Sequence, residues 1–537
     1  MIYAHNLTFD LVSFFYDRYE LLAARKDSRF SFECAGWTIA GVYGGPNYVE
    51  FKDRSNKRSA LLLDSSSWFM TSLANAALEV CPETPKLDTP ADLTQDIRTD
   101  ADLERILPYA MRDAEIACRL GETVDDWHRA ADLPQTLTAA GMSADLFRRR
   151  YLDHPIYRQQ HGWEYGVYAY HGGKNYYAGQ GPAWYHDHAG VDIKSAYPYA
   201  MTQLPAFSNP KAYRPQQLFR PGCTQFPPWG SYLIDGYAER DGPPALFDHA
   251  FKPIRGPFEN VWVNGLELNN ALRHRRARLT GSVLGYYYDQ DKEQPSTTAF
   301  QRFVTDQYAR KEDPTTSPTM RKFHKLAMNG LYGKTIQTNA NSDIDDRGAE
   351  TLTWSPGGMF HPLIAGCITA ITRGICLDVE LYAGAVHTST DGLIVPSRNT
   401  GPYPFVPASG IGSIEVEFDH ASVAILRNKA YAAFADRDAN PRKPPSRQFP
   451  GYSVVKFATH GMTGCTLEKF ERLVATGERF YRATRPNKLR DSINRGLLPN
   501  QFVEHDVNVR VPALSGTPPQ RALRAHPDPL DPAQARI

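Results

Sequence analysis

The sequence contains no run of about 18–20 apolar residues, so no membrane-spanning helix is expected. Its opening, Met1-Ile2-Tyr3-Ala4-His5-Asn6, lacks the basic stretch and following apolar run of a secretory signal. Cysteine is sparse: seven residues, at 34, 81, 118, 223, 367, 376 and 465, and no Cys-x-x-Cys pair. That pattern indicates neither a zinc ribbon nor an iron–sulfur cluster and points to free thiols in a reducing cytoplasm. Net charge is nearly absent, at +1 over 537 residues, but it is unevenly spread. Residues 421–537 carry 19 Lys+Arg against 10 Asp+Glu, or +9, which leaves residues 1–420 at −8. Arg479, Arg482, Arg485, Lys488 and Arg490 lie in the basic part. A basic C-terminal part suits a phosphate backbone, and a solvated basic surface is the plainer alternative. The length allows three or four domains, and the 42% hydrophobic content is that of an ordinary globular chain.

Three segments carry chemistry. In Gly190–Tyr199 an apolar strand ends in Asp192, and a turn with Tyr197 and Pro198 follows. A strand-end carboxylate can hold a divalent cation, though it can equally cap a turn. In the second segment Ser317-Pro318 reads as an N-cap with proline at the first helical position. On that helix Arg321, Lys325, Asn329 and Tyr332 share one face, while Phe323, Leu326 and Gly330 lie on another. Two cations on one face suit a polyphosphate, or are a solvated basic face. In the third, Val386–Val395, apolar residues flank a polar tip, which predicts a hairpin with Asp391 at or just past its turn. Asp391 would then face Asp192 from a neighbouring strand, and two such carboxylates can hold a pair of magnesium ions.

In that order and spacing the segments resemble motifs of family B DNA polymerases. Asp192–Pro198 is similar to motif A (DxxSLYP), Lys325–Gly333 to motif B (KxxxNSxYG), His387–Gly392 to motif C (YxDTDS) and Lys429-Ala430-Tyr431 to the KxY motif. The resemblance covers roughly residues 1–500 and is nearest to the protein-primed branch of phages and linear plasmids. It implies an α+β right-hand polymerase with a partial RNase H-like exonuclease domain at the N-terminus. On that plan residues 1–150 are exonuclease-like, and 151–189 are a linker with a YxGG-like element, Tyr176-Tyr177-Ala178-Gly179. Palm segments fall at 190–201, 261–292 and 346–432. Residues 202–260 form a loop-rich insertion that would contact a terminal priming protein or DNA, and 293–345 form the fingers. Thumb and DNA-holding elements fall at 433–515, after a linker at 440–450, with a disordered tail from 516. The stretch 336–358 reads as a polar loop. It leaves room for only a short second insertion, so processive strand displacement is not expected.

The resemblance also implies roles. Asp192, Asp391 and the backbone at Ile193 would hold two magnesium ions, with manganese as an alternative. Arg321 and Lys325 would clamp the triphosphate of a deoxynucleotide. Tyr197 would exclude a 2′-hydroxyl, and Asn329 and Tyr332 would line the nascent base pair. Lys429, Tyr431, Tyr177 and Gly179 would hold primer-template DNA. The setting would be the cytoplasm of a phage- or plasmid-infected bacterial cell, or an organelle, with no membrane contact. At the N-terminus Tyr3–Asp10 resembles Exo II and Tyr109–Asp113 resembles Exo III. Asp10 and Asp113 would be metal ligands, with Asn6 and Tyr109 holding the strand end and the water. The DxE pair of Exo I has no counterpart, so proofreading is expected to be weak or absent and the module vestigial. In motif C, Ser389 stands where the family has its first aspartate, His387 replaces tyrosine and Gly392 replaces serine; in motif A, Ala196 replaces leucine. These departures keep open an alternative, a degenerate polymerase homologue that binds DNA without synthesis.

The basic C-terminal part predicts DNA binding that weakens steeply with salt. A plot of log K against log[salt] should fall with a slope of about −0.9 per phosphate neutralised, measurable by fluorescence anisotropy. A flat plot would remove the assignment.

Overall fold

The computed structural model describes residues 1–15, 18, 21–22, 29–42, 47–55, 58–90, 99–157, 162–179, 182–289, 297–344, 350–447, 449–459, 462, 465–476, 478, 480–486 and 502–508. The tail from 516 and the basic residues Arg479, Lys488 and Arg490 lie outside the described residues. The chain forms two compact units, each assembled from separated segments.

Unit 1 comprises Met1–Leu152, Thr305–Phe360 and Pro486–Phe502. Its five-stranded sheet runs β1 (Ile2–Ala4), β5 (Ser59–Asp64), β4 (Tyr48–Asp53), β3 (Trp37–Val42), β2 (Arg29–Cys34). β1 is parallel to β5 and every other pair is antiparallel. Helix α1 (Leu7–Phe14) seals one face, with Leu7, Leu11 and Val12 packed on Phe30, Ile39 and Val49. The short helices α2 (Ser66–Phe69) and α3 (Leu73–Val80) lead to the long α4 (Asp100–Ala130), which starts with a capping box between Thr99 and Asp102. β1 docks on α4 through Tyr3, whose hydroxyl donates to Asp125 at 2.7 Å. Only a glycine fits beneath that ring, because a Cβ on Gly121 would stand 2.2 Å from it. Helix α5 (Ala139–Arg150) packs on α10 (Pro318–Lys334), where the Ser143 hydroxyl donates to the Ala327 carbonyl and Gly330 admits the α5 backbone. Residues 338–356, expected as loop, instead form a hairpin of β13 (Thr338–Ile344) and β14 (Glu350–Pro356). β13, Thr338-Asn339-Ala340-Asn341-Ser342-Asp343-Ile344, is polar almost throughout and carries no strand pattern of its own; its pairing with β14 makes it a strand.

Unit 2 comprises Asp153–Val304, His361–Arg485 and Val503–Ile537. Its main sheet has seven strands, all paired antiparallel. The order is β19 (Tyr452–Thr459), β18 (Ala430–Asp436), β17 (Ile414–Arg427), β7 (Ala183–Ile193), β16 (Gly392–Pro396), β15 (His387–Thr390), β6 (Lys174–Tyr177). Helix α11 (Pro362–Ala383) lies under it, with Cys376, Val379 and Ala383 in one core with Val191, Leu393 and Val395. Among the described residues α11 is the one helix long and apolar enough to cross a membrane, and here it is a core helix, mostly buried. The short α6 (Trp163–Tyr168) and α7 (Ala196–Thr202) also pack on α11.

A second sheet has the order β10 (Gly256–Asn264), β9 (Gly230–Ala238), β12 (Val283–Tyr288), β8 (Tyr213–Phe219), with β11 (Ala277–Leu279) also on β9. With α8 (Gly265–Arg273) it buries its own core around Tyr232, Ile234, Val263 and Leu268. The strands expected to rejoin the main sheet within 261–292 therefore pair with those of 213–238 instead. The thumb expectation also shifts, because 452–459 is an edge strand of the main sheet. The 440–450 segment is not a bare linker, since Phe449 is fully buried with Trp184, Phe434 and α12 (Leu467–Thr476). Helix α9 (Ala299–Glu312) carries the chain from unit 2 into unit 1, and β20 (Phe480–Pro486) pairs with β21 (Phe502–Asn508).

Among the described residues of unit 2, an arginine–glutamate pair and a lysine–glutamate pair are buried. Arg373 of α11 donates through Nε to Glu267 of α8 at 2.6 Å, and through Nη1 to the carbonyls of His171 and Gly172. Burial raises the Glu267 pKa, but the Arg373 charge and the neighbouring His171 outweigh it and hold the carboxyl at about 2. Lys174 of β6 meets Glu380 of α11 at 2.5 Å, and Glu380 also accepts the Thr388 hydroxyl of β15. Removing one member leaves a buried charge unpaired, which costs about 3–5 kcal/mol. Arg373→Met should lower the urea midpoint of unfolding accordingly, and adding Glu267→Leu should restore much of it. Equal midpoints for Arg373→Met and wild type would contradict the pairing.

Candidate active site

The centre of unit 2's main sheet positions the carboxylates. β7 is apolar and buried through Ala189, Val191 and Ile193, so Asp192 faces outward near its end. β16 pairs with β7 in the register Gly392↔Asp192, which sets the β15–β16 turn beside Asp192. Thr390, at φ 67°, makes that turn with Asp391 at its tip, and the Asp391 carbonyl accepts the Ile193 N–H at 3.1 Å. A Cβ on Gly392 would stand 3.3 Å from Asp192 Oδ1, so glycine here leaves room for the carboxylate. The two acids feel each other. Burial, then the Asp391 charge, then Glu417, push the Asp192 carboxyl up to about 7. Burial, and after it Glu417, also raise Asp391, although its own backbone N–H opposes the shift.

Glu417 of β17 and Lys456 of β19 are neighbours of this pair that no sequence motif marks. Both Glu417 oxygens engage the Lys456 ammonium, at 2.7 and 2.8 Å, so this carboxylate is already paired. Among the described residues no group of three or more His, Cys, Asp and Glu side chains is poised to hold a metal. Asp192 and Asp391 are nevertheless a divalent-ion donor set in their chemistry. Two hard oxygen ligands are held together against burial and mutual repulsion, and the neighbouring cations do not cancel that repulsion.

Tyr197, on α7 just past β7, lies close to Asp391; burial and then that charge raise its hydroxyl to about 12. Its hydroxyl and Thr390 both abut Gly173, where a Cβ would stand 2.9 and 2.5 Å from them. The glycine element against the site is thus Tyr170-His171-Gly172-Gly173, a literal YxGG run in the sequence. Tyr177 instead pairs with His387 in the sheet, and Gly179 packs back on the Tyr177 hydroxyl. His387 is buried, and burial followed by the Lys429 charge hold its pKa at about 4, so its ring is neutral. Its Nε2 accepts the backbone N–H of Lys429 at 3.1 Å, and its ring lies 5.2 Å from that of Tyr431. Lys429 makes the β17–β18 turn at φ 62°, and Tyr431 feels Glu417 and Asp192. The structure therefore brings Asp192, Asp391, Ile193, Tyr197, Lys429 and Tyr431 to one end of the sheet. Ser389 takes an ordinary ladder position opposite Asn175 and Gly392.

In unit 1, Ser317 caps α10 with Pro318 at its start, as the sequence predicts. Arg321, Lys325 and Asn329 are exposed on one face, Tyr332 is half-buried, and Phe323, Ala327 and Leu331 are buried. The Arg321 guanidinium reaches back to the carbonyls of Asp313 and Pro314, at 3.2 and 3.1 Å. At the N-terminus Asn6 is left-handed and its N–H donates to Asp64, a buried carboxylate that also accepts Ser66 N–H and Asn47 Nδ2. Desolvation, then the Asp64 charge, raise Asp10 to about 6, although one side of Asp10 stays open to solvent. Asp113 is bound by the Lys86 ammonium, which also donates to Tyr109 at 2.8 Å. Burial lowers the Lys86 pKa, but the bonds to Asp113 and Tyr109 raise it further. Lys86, which belongs to no recognisable motif, thus occupies both Exo III-like side chains.

No protein-family model matches the chain, and no curated protein matches its sequence. Solved structures do resemble it. Phi29 DNA polymerase with primer-template DNA (post-translocation binary complex) superposes with TM-score 0.64 at 15% identity, covering 94% of this chain and 90% of that one. The same enzyme with single-stranded DNA gives TM-score 0.63 at 15% identity, with coverage of 93% and 90%. At that identity the likeness shows the fold, which is that of a DNA polymerase.

A raised carboxyl pKa has a definite sign. Between pH ~4 and ~7 folded Asp192 retains a proton that the unfolded chain has released, so this group's contribution to stability falls as pH rises through that window. Without added metal the thermal midpoint should fall from pH 5 to pH 8, and Asp192→Asn should remove part of that fall, about 2–4 °C per ~1 kcal/mol relieved. Divalent ions should stabilise wild type more at pH 8 than at pH 6. A pH profile identical in wild type and variant would show that Asp192 is not strained.

Proposed function

We propose that this protein is a DNA-directed DNA polymerase that adds deoxynucleotides to a primer 3′-hydroxyl. The observation that carries the reading is the strand register that sets Asp391, at the β15–β16 turn, beside Asp192 near the end of β7, in a chain with a DNA polymerase fold. Asp192, Asp391 and the Ile193 carbonyl would hold magnesium or manganese. When bound, two such ions supply neutralising charge and lower the pKa of the primer hydroxyl.

The chain's own residues do the rest. Tyr197, braced against Gly173, presents a fixed aromatic edge where a sugar would lie, which selects against a 2′-hydroxyl. Lys429 and Tyr431, held by His387, would grip the primer-terminal phosphates. Arg321 and Lys325 would bind the triphosphate, and Asn329 and Tyr332 the base pair, so that catalysis is positioning and charge neutralisation. Proofreading is proposed to be weak, because Lys86 neutralises Asp113 and Asp64 is committed to backbone donors. Protein priming, a phage or mobile-element origin and a cytoplasmic setting belong to the same proposal.

Magnesium-dependent primer extension, wild type beside Asp391→Asn, tests it. Wild type should extend, and the variant should lose about 10²-fold or more. If neither extends although both bind DNA, a hydroxyl-bearing priming protein is added. Continued silence would favour the non-catalytic homologue.

A further inference from the structure

We infer that the turn after β9 is a phosphate-binding site built from Arg240, Arg255 and Arg276. The sheet register creates it. Ala238, the last residue of β9, pairs with Gly256 of β10 on one side and with Ala277 of β11 on the other. Arg255 and Arg276 each precede those partners by one residue, so they flank the turn that carries Arg240. Both reach over it: Arg255 donates to the carbonyls of Glu239 (3.2 Å) and Gly242 (2.7 Å), and Arg276 donates to the carbonyl of Asp241.

Two left-handed glycines make the room. At Gly242 (φ +72°) a Cβ would stand 3.4 Å from Arg276 Nη2, and at Gly256 (φ +78°) one would stand 3.4 Å from Arg240 Nε. Three guanidiniums from three chain segments therefore meet at one end of the second sheet.

Among the described residues none of the three forms an ion pair; Glu239 and Asp241 favour the charged form of Arg276, and Glu380 feels its charge, but none of these carboxylates bridges to it. Arg276 Nε is buried with no hydrogen-bond partner. Burial, then the Arg255 charge, work against the Arg276 cation. An anion at the turn would offset the mutual repulsion of Arg255 and Arg276. A tetrahedral phosphate, with oxygens in several directions, matches donors arriving from three segments better than a planar carboxylate does. The source is either a nucleic-acid backbone or free phosphate. The first rests on the polymerase reading; the site itself does not.

The test uses the full-length protein and two variants, Arg255→Gln/Arg276→Gln and Arg240→Gln/Arg255→Gln, the second altering only exposed side chains. Thermal midpoints are read against inorganic phosphate at constant ionic strength, and DNA affinity against salt. Phosphate should raise the wild-type midpoint and have no such effect on either variant. The slope of log K against log[salt] for primer-template DNA should shrink by about 1 for each backbone phosphate that is no longer neutralised. Loss of the phosphate response with an unchanged slope assigns the site to free phosphate. Loss of both assigns it to the DNA backbone. A phosphate response and a slope that match wild type in both variants would overturn the proposal. A chain that binds no DNA yet shows the phosphate response would sink the polymerase reading and leave this site standing.

Discussion

Two like charges are held side by side at the end of a buried strand, and much of unit 2 serves to keep them there. Left to themselves, Asp192 and Asp391 would separate or take up a proton. Backbone pairing prevents the first: β7 is clamped between β16 and β17, and the turn carrying Asp391 is tied to Ile193 by a main-chain hydrogen bond. The resulting strain is of the kind that positive charge beside the two carboxylates would relieve.

Beneath that pair, the order of the site depends on polar groups far from it. Arg373 fixes the carbonyls of His171 and Gly172, which aims Gly173 at Tyr197 and Thr390. Lys174, Glu380 and Thr388 couple the neighbouring strands to α11 from below. Buried ion pairs add little net stability, but they have strong directional requirements. Here they fix the register of the glycine segment against the carboxylate turn, where apolar packing would permit sliding.

The parts of the site legible in the sequence were those encoded locally. An apolar strand ending in Asp192, a Ser-Pro helix start at 317–318 and a polar tip between apolar runs at 386–395 each carry their own signal. What could not be read was set by partners distant in the chain. Lys174 meets Glu380 across 206 positions, and Lys86 meets Asp113 across 27, with nothing in the spacing to announce either. The strands of 256–288 look alike whichever sheet they join; the choice was made by an apolar core around Phe226, Tyr232 and Ile234 that forms only when 213–238 folds with them. The glycine element at 170–173 is readable from its letters alone, but the tyrosine pair six residues later competes for the same assignment, and only the packing of Gly173 on Tyr197 decides between them.

The segmented make-up of unit 1 has a consequence during synthesis. Its N-terminal 152 residues are completed by residues 305–360, and Trp127 of α4 finds Phe323 of α10 only when that later segment emerges. At ~5–20 residues per second the ribosome takes about 10–40 s to supply it. For that interval the faces of α4 and α5 that pack on α10 lack their native partner, while residues 153–304 of unit 2 are already emerging. Completion of unit 1 therefore waits on the synthesis of residues 153–304 of unit 2, which ties its folding to the pace of translation.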